Sequence, residues 1–303
     1  MFSTTPTVFV LSATGSQGGA VARQLLELNW HVHATVRSLE SPAAKALEAL
    51  GAQLTQGEWD NDGALSAAMT GCDKLFLCLL PAQGDSDLER RRAENIVKIA
   101  RAAGVKQVVA SSSLGVSMYD KNEHVNSGSF FEKHIASKKG VEQAVADGGF
   151  EHWTLLRPSL FMANFLEPKI NRPGYVDVRD KGCWTTPVTA ETNIALVDHE
   201  DIAKLAVSAF QNPVRFHGQA IGVASELITP QEIMKTLGEA AGKTFNAAFL
   251  TDDQIAAQGI NSQVWMRFMS DYVDLKQLRT MVPLTTFKQF LEREKETVRA
   301  TYK

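Results

Sequence analysis

The chain has 303 residues, of which 44% are apolar and 21% are charged, so it can bury a large core in one domain or in a large domain with a smaller one. This composition excludes a disordered or collagen-like chain. The 31 basic and 34 acidic residues give a net charge of −3, which argues against a nucleic-acid partner, since such proteins usually carry a basic surface.

The sequence shows no targeting or membrane segment. Met1 to Pro6 contains no positive charge ahead of the first apolar run, so a signal peptide is not expected. The longest apolar stretch, Leu75 to Ala82, is far below the roughly 20 residues that span a bilayer. The three cysteines lack metal-ligand spacing, which predicts reduced thiols, no metal site and a cytoplasmic location.

Short apolar runs alternate with stretches of helical spacing over the first 160 residues. Strands are predicted at Thr7–Leu11, His31–Val36, Gln53–Thr55, Lys74–Leu80, Gln107–Ser111 and Trp153–Leu156. Helices are predicted at Gly18–Asn29, Pro42–Leu50, Asn61–Met69, Leu88–Ala103 and Phe131–Asp147. This alternation predicts an α/β fold with a doubly wound parallel sheet and helices on both faces.

The second half of the chain is less regular. Asp177 to Pro187 carries glycine, cysteine and tryptophan in no clear period, which predicts loops. Helix starts are expected at Thr229, followed by Pro230 and Glu232, and at Thr251 with Gln254, and the tail Thr285–Ala300 is expected as one terminal helix. Residues 1–160, with later segments returning to them, are therefore expected to form the first domain, and residues 161–303 a smaller α/β lobe.

A glycine-containing turn follows the first predicted strand and precedes the first predicted helix. It reads Ser12-Ala13-Thr14-Gly15-Ser16-Gln17-Gly18-Gly19. Glycines at such a turn let the backbone approach a pyrophosphate, and the helix N-terminus supplies N–H groups and partial positive charge. Similar turns also occur as plain connections, but the strand before and the helix after favour a dinucleotide site.

Arg37 lies at the end of the second predicted strand, about twenty residues beyond the glycines. Enzymes that prefer NAD place a carboxylate at this point to bind the ribose 2′-hydroxyl, whereas an arginine can pair with the 2′-phosphate of NADP. A solvated arginine at a strand end is the alternative. The sequence favours NADP.

Several motifs in this order resemble the NmrA-like branch of the atypical short-chain dehydrogenase/reductases. They are Ala13 to Gly19, Val36-Arg37, Gly57-Glu58-Trp59-Asp60, Ser137-Lys138, Leu156-Arg157-Pro158-Ser159 and Met162-Ala163-Asn164-Phe165. The resemblance covers nearly the whole chain. It implies an NADP-binding Rossmann domain and a smaller substrate-binding lobe. The family includes reductases of small molecules, redox-sensing regulators that bind NADP without turnover, and tailoring enzymes of secondary metabolism.

The resemblance also implies a set of cofactor contacts. Two of them depart from the family pattern: Ser12 replaces the first glycine, which fits if its backbone keeps ordinary angles, and Glu58 replaces an aspartate near the adenine. The implied contacts are Ser12, Thr14, Gly15, Gln17, Gly18, Arg37, Glu58, Leu79, Pro81, Ser111, Lys138 and Pro158.

His134 and Lys138 occupy the positions of the Tyr-x-x-x-Lys pair of typical short-chain dehydrogenases, four residues apart on one helix face. The nearest upstream tyrosine, Tyr119, is expected in the preceding loop. Lys138 is predicted to contact the cofactor ribose, with a solvated lysine as the alternative. His134 is the candidate proton donor, since an unperturbed pKa of about 6.5 suits that role near neutral pH; a structural histidine is the alternative.

The second half supplies candidate substrate residues, namely Phe161, Phe165, Trp184, Trp265 and Met269. Trp265, Phe268, Met269 and Tyr272 recur at helical spacing, and such a stripe is more often core than pocket. Its abundance favours an apolar or aromatic small-molecule substrate. The run Arg90-Arg91-Arg92 is interpreted as a solvated helix face.

These features predict an NADPH-dependent reductase or tailoring enzyme of secondary metabolism that acts on an apolar or aromatic small molecule. Two alternatives remain: an enzyme that holds NADP while catalysing a non-redox condensation or cyclisation, and an NADP-bound redox-sensing regulator. The missing tyrosine favours the regulator, and the aromatic second half favours the enzyme. The sequence predicts no membrane partner, and it leaves the substrate and the oligomeric state open.

Overall fold

The computed structural model describes residues 5–80, 85, 87–124, 130–259 and 261–303. Its strands, numbered β1 to β12, are Thr7–Val10, His31–Val36, Gln53–Gln56, Lys74–Cys78, Gln107–Ser111, His152–Pro158, Leu160–Phe161, Cys183–Thr186, Ile194–Val197, Gln219–Val223, Glu226–Ile228 and Asn246–Phe249. Its α-helices, numbered α1 to α14, are Ser16–Glu27, Pro42–Ala49, Asp62–Met69, Leu88–Ala102, Gly115–Lys121, Phe130–Ala146, Val176–Lys181, His199–Gln211, Pro213–Phe216, Pro230–Ala241, Asp252–Ala257, Leu275–Met281, Phe287–Arg293 and Lys295–Thr301. Further 3-10 helices lie at Met162–Phe165, Lys169–Asn171 and Asn261–Tyr272.

The central sheet has seven strands in the order β10-β6-β5-β4-β1-β2-β3. The pairings of β1 with β2 and β4, of β2 with β3, and of β5 with β4 and β6 are all parallel. The strand order therefore reverses between β1 and β4, which is the switch point where open α/β sheets bind ligands. The predicted doubly wound α/β fold is confirmed.

The chain divides into two compact units. Unit 1 comprises the described residues of Met1–Val116, Lys133–Arg157 and Ile202–Ile221. Strands of the sheet contribute fully buried side chains such as Phe9, Leu75 and Leu77 to its core, and α4 adds Ile96 from its apolar face. Because buried parallel strands carry apolar residues on both faces, the continuous runs of the sequence predicted these strands.

Unit 2 comprises the described residues of Ser117–Glu132, Pro158–Asp201 and Gly222–Lys303. It contains a three-stranded sheet in the order β11-β9-β7 and the parallel pair β12-β8. Phe165 lies in an aromatic cluster with Tyr175, Trp184 and Phe287, at ring-centroid distances of 5.4, 5.2 and 5.8 Å. This cluster forms part of the core of unit 2.

The structure confirms the predicted helix starts at Thr229 and Thr251, where capping boxes form with Glu232 and Gln254. Three other predictions need correction. Asp177–Pro187 is not irregular: it contains most of α7 and all of β8, which pairs with β12. The tail Thr285–Ala300 is not one helix, because a turn at Glu294 separates α13 from α14. Tyr119 lies within α5 and not in a loop.

In the part of the chain that is described, no helix is long and apolar enough to cross a membrane. The same residues contain no group of three or more histidine, cysteine, aspartate or glutamate side chains that could hold a metal ion.

Candidate nucleotide site

The turn between β1 and α1 is packed too closely at Gly18 to accept any side chain. A Cβ atom built on Gly18 would lie 2.4 Å from the Ser12 carbonyl oxygen and 2.5 Å from that of Leu11. Gly18 therefore lets α1 begin directly against the end of β1, the role of the last glycine in a dinucleotide turn. The structure shows that Gly18 is needed for the packing of helix against strand, and its contact with a nucleotide stays a prediction.

Gly15 is the N-cap of α1 and offers no side chain to the N–H groups of the first turn. Its backbone is extended, with φ −96° and ψ 178°, and its N–H donates to the Ser12 carbonyl oxygen at 2.8 Å. Thr14 and Gly15 are exposed. An uncapped helix start of this kind, at the switch point of the sheet, suits an anionic ligand.

Ser12 adopts a left-handed backbone with φ 58°, so the condition under which a serine fits this position, ordinary backbone angles, is not met. This conformation costs a non-glycine residue about 1–2 kcal/mol. The Ser12 hydroxyl donates a 2.7 Å hydrogen bond to the Cys78 carbonyl oxygen at the end of β4. The side chain thus offsets part of the strain and links the turn to β4.

Two other predicted cofactor residues are in direct contact. The Ser111 hydroxyl, at the end of β5, donates to Gln17 Oε1 on α1 at 2.6 Å. This bond lies along the edge of the sheet where parallel strands end. The structure therefore brings Ser12, Gln17 and Ser111 to one edge, as the sequence predicted for a ligand site there.

Arg37 and Glu58 follow the neighbouring strands β2 and β3, and both side chains are exposed. A hydrogen bond from Gly57 N to the Val36 carbonyl oxygen, 2.9 Å long, joins the two strand ends. In the described part of the chain the Arg37 guanidinium has no ion-pair partner. Glu58 lies near Arg92, whose pKa it helps to raise. The arginine is thus available for a phosphate, while Glu58 is partly engaged.

Lys138 is buried, not solvated. Its ammonium donates to the Leu79 carbonyl oxygen at 3.0 Å and forms an ion pair with the Glu89 carboxylate. Leu79 directly follows Cys78, the residue that accepts from Ser12. Lys138 and the glycine turn therefore meet at the carboxyl end of β4.

Sequence reasoning missed Glu89, although a signal was present. Glu89 occupies the same helical stripe of α4 as the buried residues Ala93, Ile96 and Ala100. An acid on a core stripe is rarely left without a partner. The signal predicts a buried cation, and only the structure identifies it as Lys138.

A second buried ion pair lies one helical turn further along α6. Glu142 accepts hydrogen bonds from Arg157 Nε at 2.9 Å and Arg157 Nη2 at 2.7 Å. The Ser112 hydroxyl, just past β5, also donates to Glu142. These contacts tie α6 to the carboxyl ends of β5 and β6, so they hold the helix that carries Lys138.

His134 lies one turn before Lys138 on α6. Burial, and secondarily the positive charge of Lys138, lowers the pKa of His134 to about 4. At neutral pH the imidazole is therefore neutral. This finding replaces the expectation of a value near 6.5 and argues against an imidazolium proton donor, while a contact role for the neutral ring stays a prediction.

The lowered pKa of His134 predicts a pH dependence of stability. The unfolded chain, with a histidine pKa of about 6.5, binds more protons than the folded chain between about pH 4 and that value. Above this pH window His134 makes its full contribution to the free energy of unfolding. About 2 kcal/mol of that free energy is lost as the pH falls through the window. Urea titrations at pH 4.5 and 7.5 give the free energy of unfolding of the wild type and of His134→Asn. The difference between the two proteins at each pH measures the loss.

All other titrating groups are common to the two proteins, so the difference between them isolates His134. We expect the wild type to lose more stability than His134→Asn on acidification. A difference that is the same at both pH values would contradict the lowered pKa.

The remaining predicted cofactor residues differ in where the structure places them. Leu79 is buried against the sheet core, and Pro158 is buried at the end of β6. Pro81 lies outside the described residues. The run Arg90-Arg91-Arg92 forms ion pairs with nearby carboxylates, of which Asp60, Asp85, Asp87 and Glu94 are the partners, in agreement with a solvated helix face.

The predicted substrate residues are all in unit 2, and three of them are core residues. Phe165, Trp184 and Met269 are buried, which favours the packing role that the sequence left open. Phe161 and Trp265 keep partial exposure. Their interpretation as substrate residues stays a prediction.

Trp265 borders a cavity of about 420 Å³ within unit 2. Its ring stacks on Phe131 at 4.7 Å, and the Phe268 ring, also in the cavity wall, stacks on His124 at 3.6 Å. The other lining residues are Asp252, Ile255, Val264 and Arg267. Aromatic and charged side chains therefore share the wall of this cavity.

The comparisons with known proteins agree with this geometry. The family model described as NmrA-like matches residues 4–292. The chain belongs to the NmrA-like family. The family resemblance seen in the sequence is therefore confirmed.

Curated relatives of this NmrA-like chain include oxidoreductases. It is 29% identical over 251 residues to a protein named NAD(P)H azoreductase from Xenophilus azovorans, covering 82% of this chain and 78% of the relative.

Solved structures support the same fold. An NADPH-dependent quinone oxidoreductase from Escherichia coli, complexed with NADPH, has TM-score 0.72 and 21% identity, covering 94% of this chain and 99% of that one. NmrA, a negative transcriptional regulator in complex with NADP, has TM-score 0.70 and 18% identity, covering 98% and 95%. At these identities the likeness shows the shared fold.

Proposed function

We propose that this NmrA-like protein is an NADPH-dependent reductase of apolar or aromatic small molecules. One observation carries the proposal. The glycine turn and the buried Lys138 ammonium converge on consecutive carbonyl groups, Cys78 and Leu79, at the switch point of the sheet. This is where a doubly wound sheet holds a dinucleotide.

The residues present fit a dinucleotide. Gly18 lets α1 begin directly against β1, and the start of α1, which has no side-chain cap, offers backbone N–H groups to a pyrophosphate. The exposed Arg37 offers a charge for a 2′-phosphate. The Lys138 ammonium has three N–H groups, of which Leu79 and Glu89 accept two. In the part of the chain that the structure describes, the third has no acceptor, so it is available for a ribose hydroxyl.

NADPH bound at this site would supply a hydride from its nicotinamide ring. The protein orients the nucleotide through Lys138 and the α1 turn. His134 is neutral at pH 7 because of its lowered pKa, so it can donate only its neutral N–H as a hydrogen bond. The proton that completes a reduction is therefore assigned to water.

The relatives support this proposal. Azo and quinone groups, named in two of them, are planar conjugated acceptors. Such acceptors suit the stacked aromatic rings around the cavity of unit 2. A role in secondary metabolism rests on the family alone.

Transfer of deuterium from 4-deuterated NADPH to product tests the proposal. Quinones and azo compounds are suitable acceptors, and mass spectrometry detects the label. We expect transfer by the wild type and at least tenfold less by Lys138→Met. Tight NADPH binding without transfer to any acceptor would contradict the reductase and favour the NADP-bound regulator or a non-redox enzyme.

Arg37→Glu tests the choice of coenzyme. Reversing the charge should weaken NADPH binding about 100-fold, because a charge-assisted contact with the 2′-phosphate becomes a repulsion. NADH, which lacks that phosphate, should change by less than about threefold. Fluorescence titration of both coenzymes measures the ratio, with the exposed Arg299→Glu as the matched charge reversal. Equal losses for the two coenzymes in Arg37→Glu would exclude the contact.

A further inference from the structure

We propose that Glu89 is the positioning residue for Lys138: its buried carboxylate balances the charge of the Lys138 ammonium and aims the ammonium at the nucleotide. The inference rests on the proposed function. It adds a residue from α4 to a site otherwise built from the sheet edge, α1 and α6.

The contact is specific and enclosed. The Lys138 and Glu89 side chains are 8% and 2% exposed, and the two residues are 49 positions apart in the chain. The Ser137 hydroxyl approaches the other carboxylate oxygen at 3.5 Å. The carboxylate thus has both oxygens directed at α6, and the lysine is held from two sides, by Glu89 and by the Leu79 carbonyl group.

Charge is the reason that this contact matters for binding. Burial alone favours the neutral amine of a lysine, and a carboxylate in contact restores the ammonium form. Two other titratable groups lie one turn from Lys138 on α6: His134, which is neutral at pH 7, and Glu142, whose carboxylate is paired with Arg157. Glu89 is therefore the group that lets a buried lysine act as a cation at the switch point.

The neighbouring Glu142–Arg157 pair provides a matched control. Glu142 lies one turn beyond Lys138 on the same helix, and its side chain is also 2% exposed. Its partner is an arginine, which stays protonated throughout the accessible pH range. Glu142→Gln therefore removes a buried carboxylate from the same helix without creating a base that can lose its proton.

The test is NADPH affinity as a function of pH, measured by fluorescence titration from pH 6 to 9.5 without any substrate. In Glu89→Gln we expect affinity close to wild type at pH 6 and a loss of about tenfold relative to wild type by pH 9, as the uncompensated ammonium gives up its proton. Wild type and Glu142→Gln should have parallel profiles. Lys138→Met should bind NADPH weakly at every pH, and its pH profile should be parallel to that of the wild type.

Glu89→Asp keeps the charge and shortens the reach by one methylene group. It should bind NADPH more weakly than wild type with a parallel pH profile, and it serves as the test if Glu89→Gln does not fold. A Glu89→Gln profile parallel to wild type, or wild-type affinity in Glu89→Asp, would overturn the role of Glu89. Failure of the wild type itself to bind NADPH would instead contradict the proposed function.

Discussion

Gly18→Ala is expected to destabilise the protein by about 3 kcal/mol and to weaken NADPH binding by at least tenfold. The added methyl group would lie within 2.6 Å of three backbone atoms of Leu11 and Ser12. Backbone atoms in a buried turn cannot move aside cheaply, so α1 must shift away from β1. That shift displaces the N–H groups proposed to bind the pyrophosphate.

Gly63→Ala is the control for this substitution. Gly63 lies in the first turn of α3, and a Cβ there meets nothing closer than the Asn61 side-chain oxygen at 3.5 Å. Alanine should be neutral or stabilising by up to about 1 kcal/mol at such a position. Chemical denaturation measures the stability of both variants, and NADPH titration measures their affinity for the coenzyme. Similar stability and affinity in the two variants would show that the close packing at Gly18 is not needed.

Arg157→Leu is expected to cost about 3–5 kcal/mol of the free energy of unfolding, because it leaves the Glu142 carboxylate buried without its charged partner. The two side chains are 10% and 2% exposed, and two hydrogen bonds join them. Of the three hydrogen bonds described above for the Glu142 carboxylate, only the one from the Ser112 hydroxyl would remain in Arg157→Leu. Urea denaturation at pH 7 measures the loss.

Two further variants separate the cost of a buried charge from the loss of packing. Arg157→Leu combined with Glu142→Leu should recover most of the lost stability, since no uncompensated charge is then buried. Arg299→Leu, at an exposed pair with Glu296, should change stability by less than about 1 kcal/mol. A double variant no more stable than Arg157→Leu would show that packing, not charge, accounts for the loss.

The sheet and its flanking helices could be predicted because their signals are local. Buried parallel strands read as continuous apolar runs, and the helices between them carry apolar residues at helical spacing. The helix starts at Thr229 and Thr251 could be predicted from capping patterns that involve only the three following residues. The doubly wound fold followed from their alternation.

The errors occurred where distant residues decide the local structure. Trp184 to Thr186 are strand-favouring residues, but the adjacent Gly182 and Pro187 suggested a loop. The segment is a strand because Cys183 to Thr186 pair with Asn246 to Phe249 of β12. In the tail, the helical pattern continues through Glu294, so sequence alone showed no break between α13 and α14.

The structure brings Ser12 of the glycine turn and Lys138 together at the carboxyl end of β4, while their contact with a nucleotide stays a prediction. The glycine turn and Lys138 were singled out, whereas Ser12 was accepted only on condition of ordinary backbone angles and Lys138 was weighed against a solvated alternative. Lys138 and Glu142 lie on a helical stripe with the buried residues Ile135 and Val145. Charges on a core stripe predict buried ion pairs, but their partners, Glu89 and Arg157, come from other elements.

The central claim is that the β1–α1 turn and Lys138 form a nicotinamide dinucleotide site. Isothermal titration calorimetry of purified protein, stripped of bound nucleotide, measures this most directly. The account predicts saturable uptake of one NADPH per chain, tighter than NADH and weakened in Gly18→Ala and Lys138→Met. No heat of binding with either coenzyme, from protein shown to be folded, would contradict it.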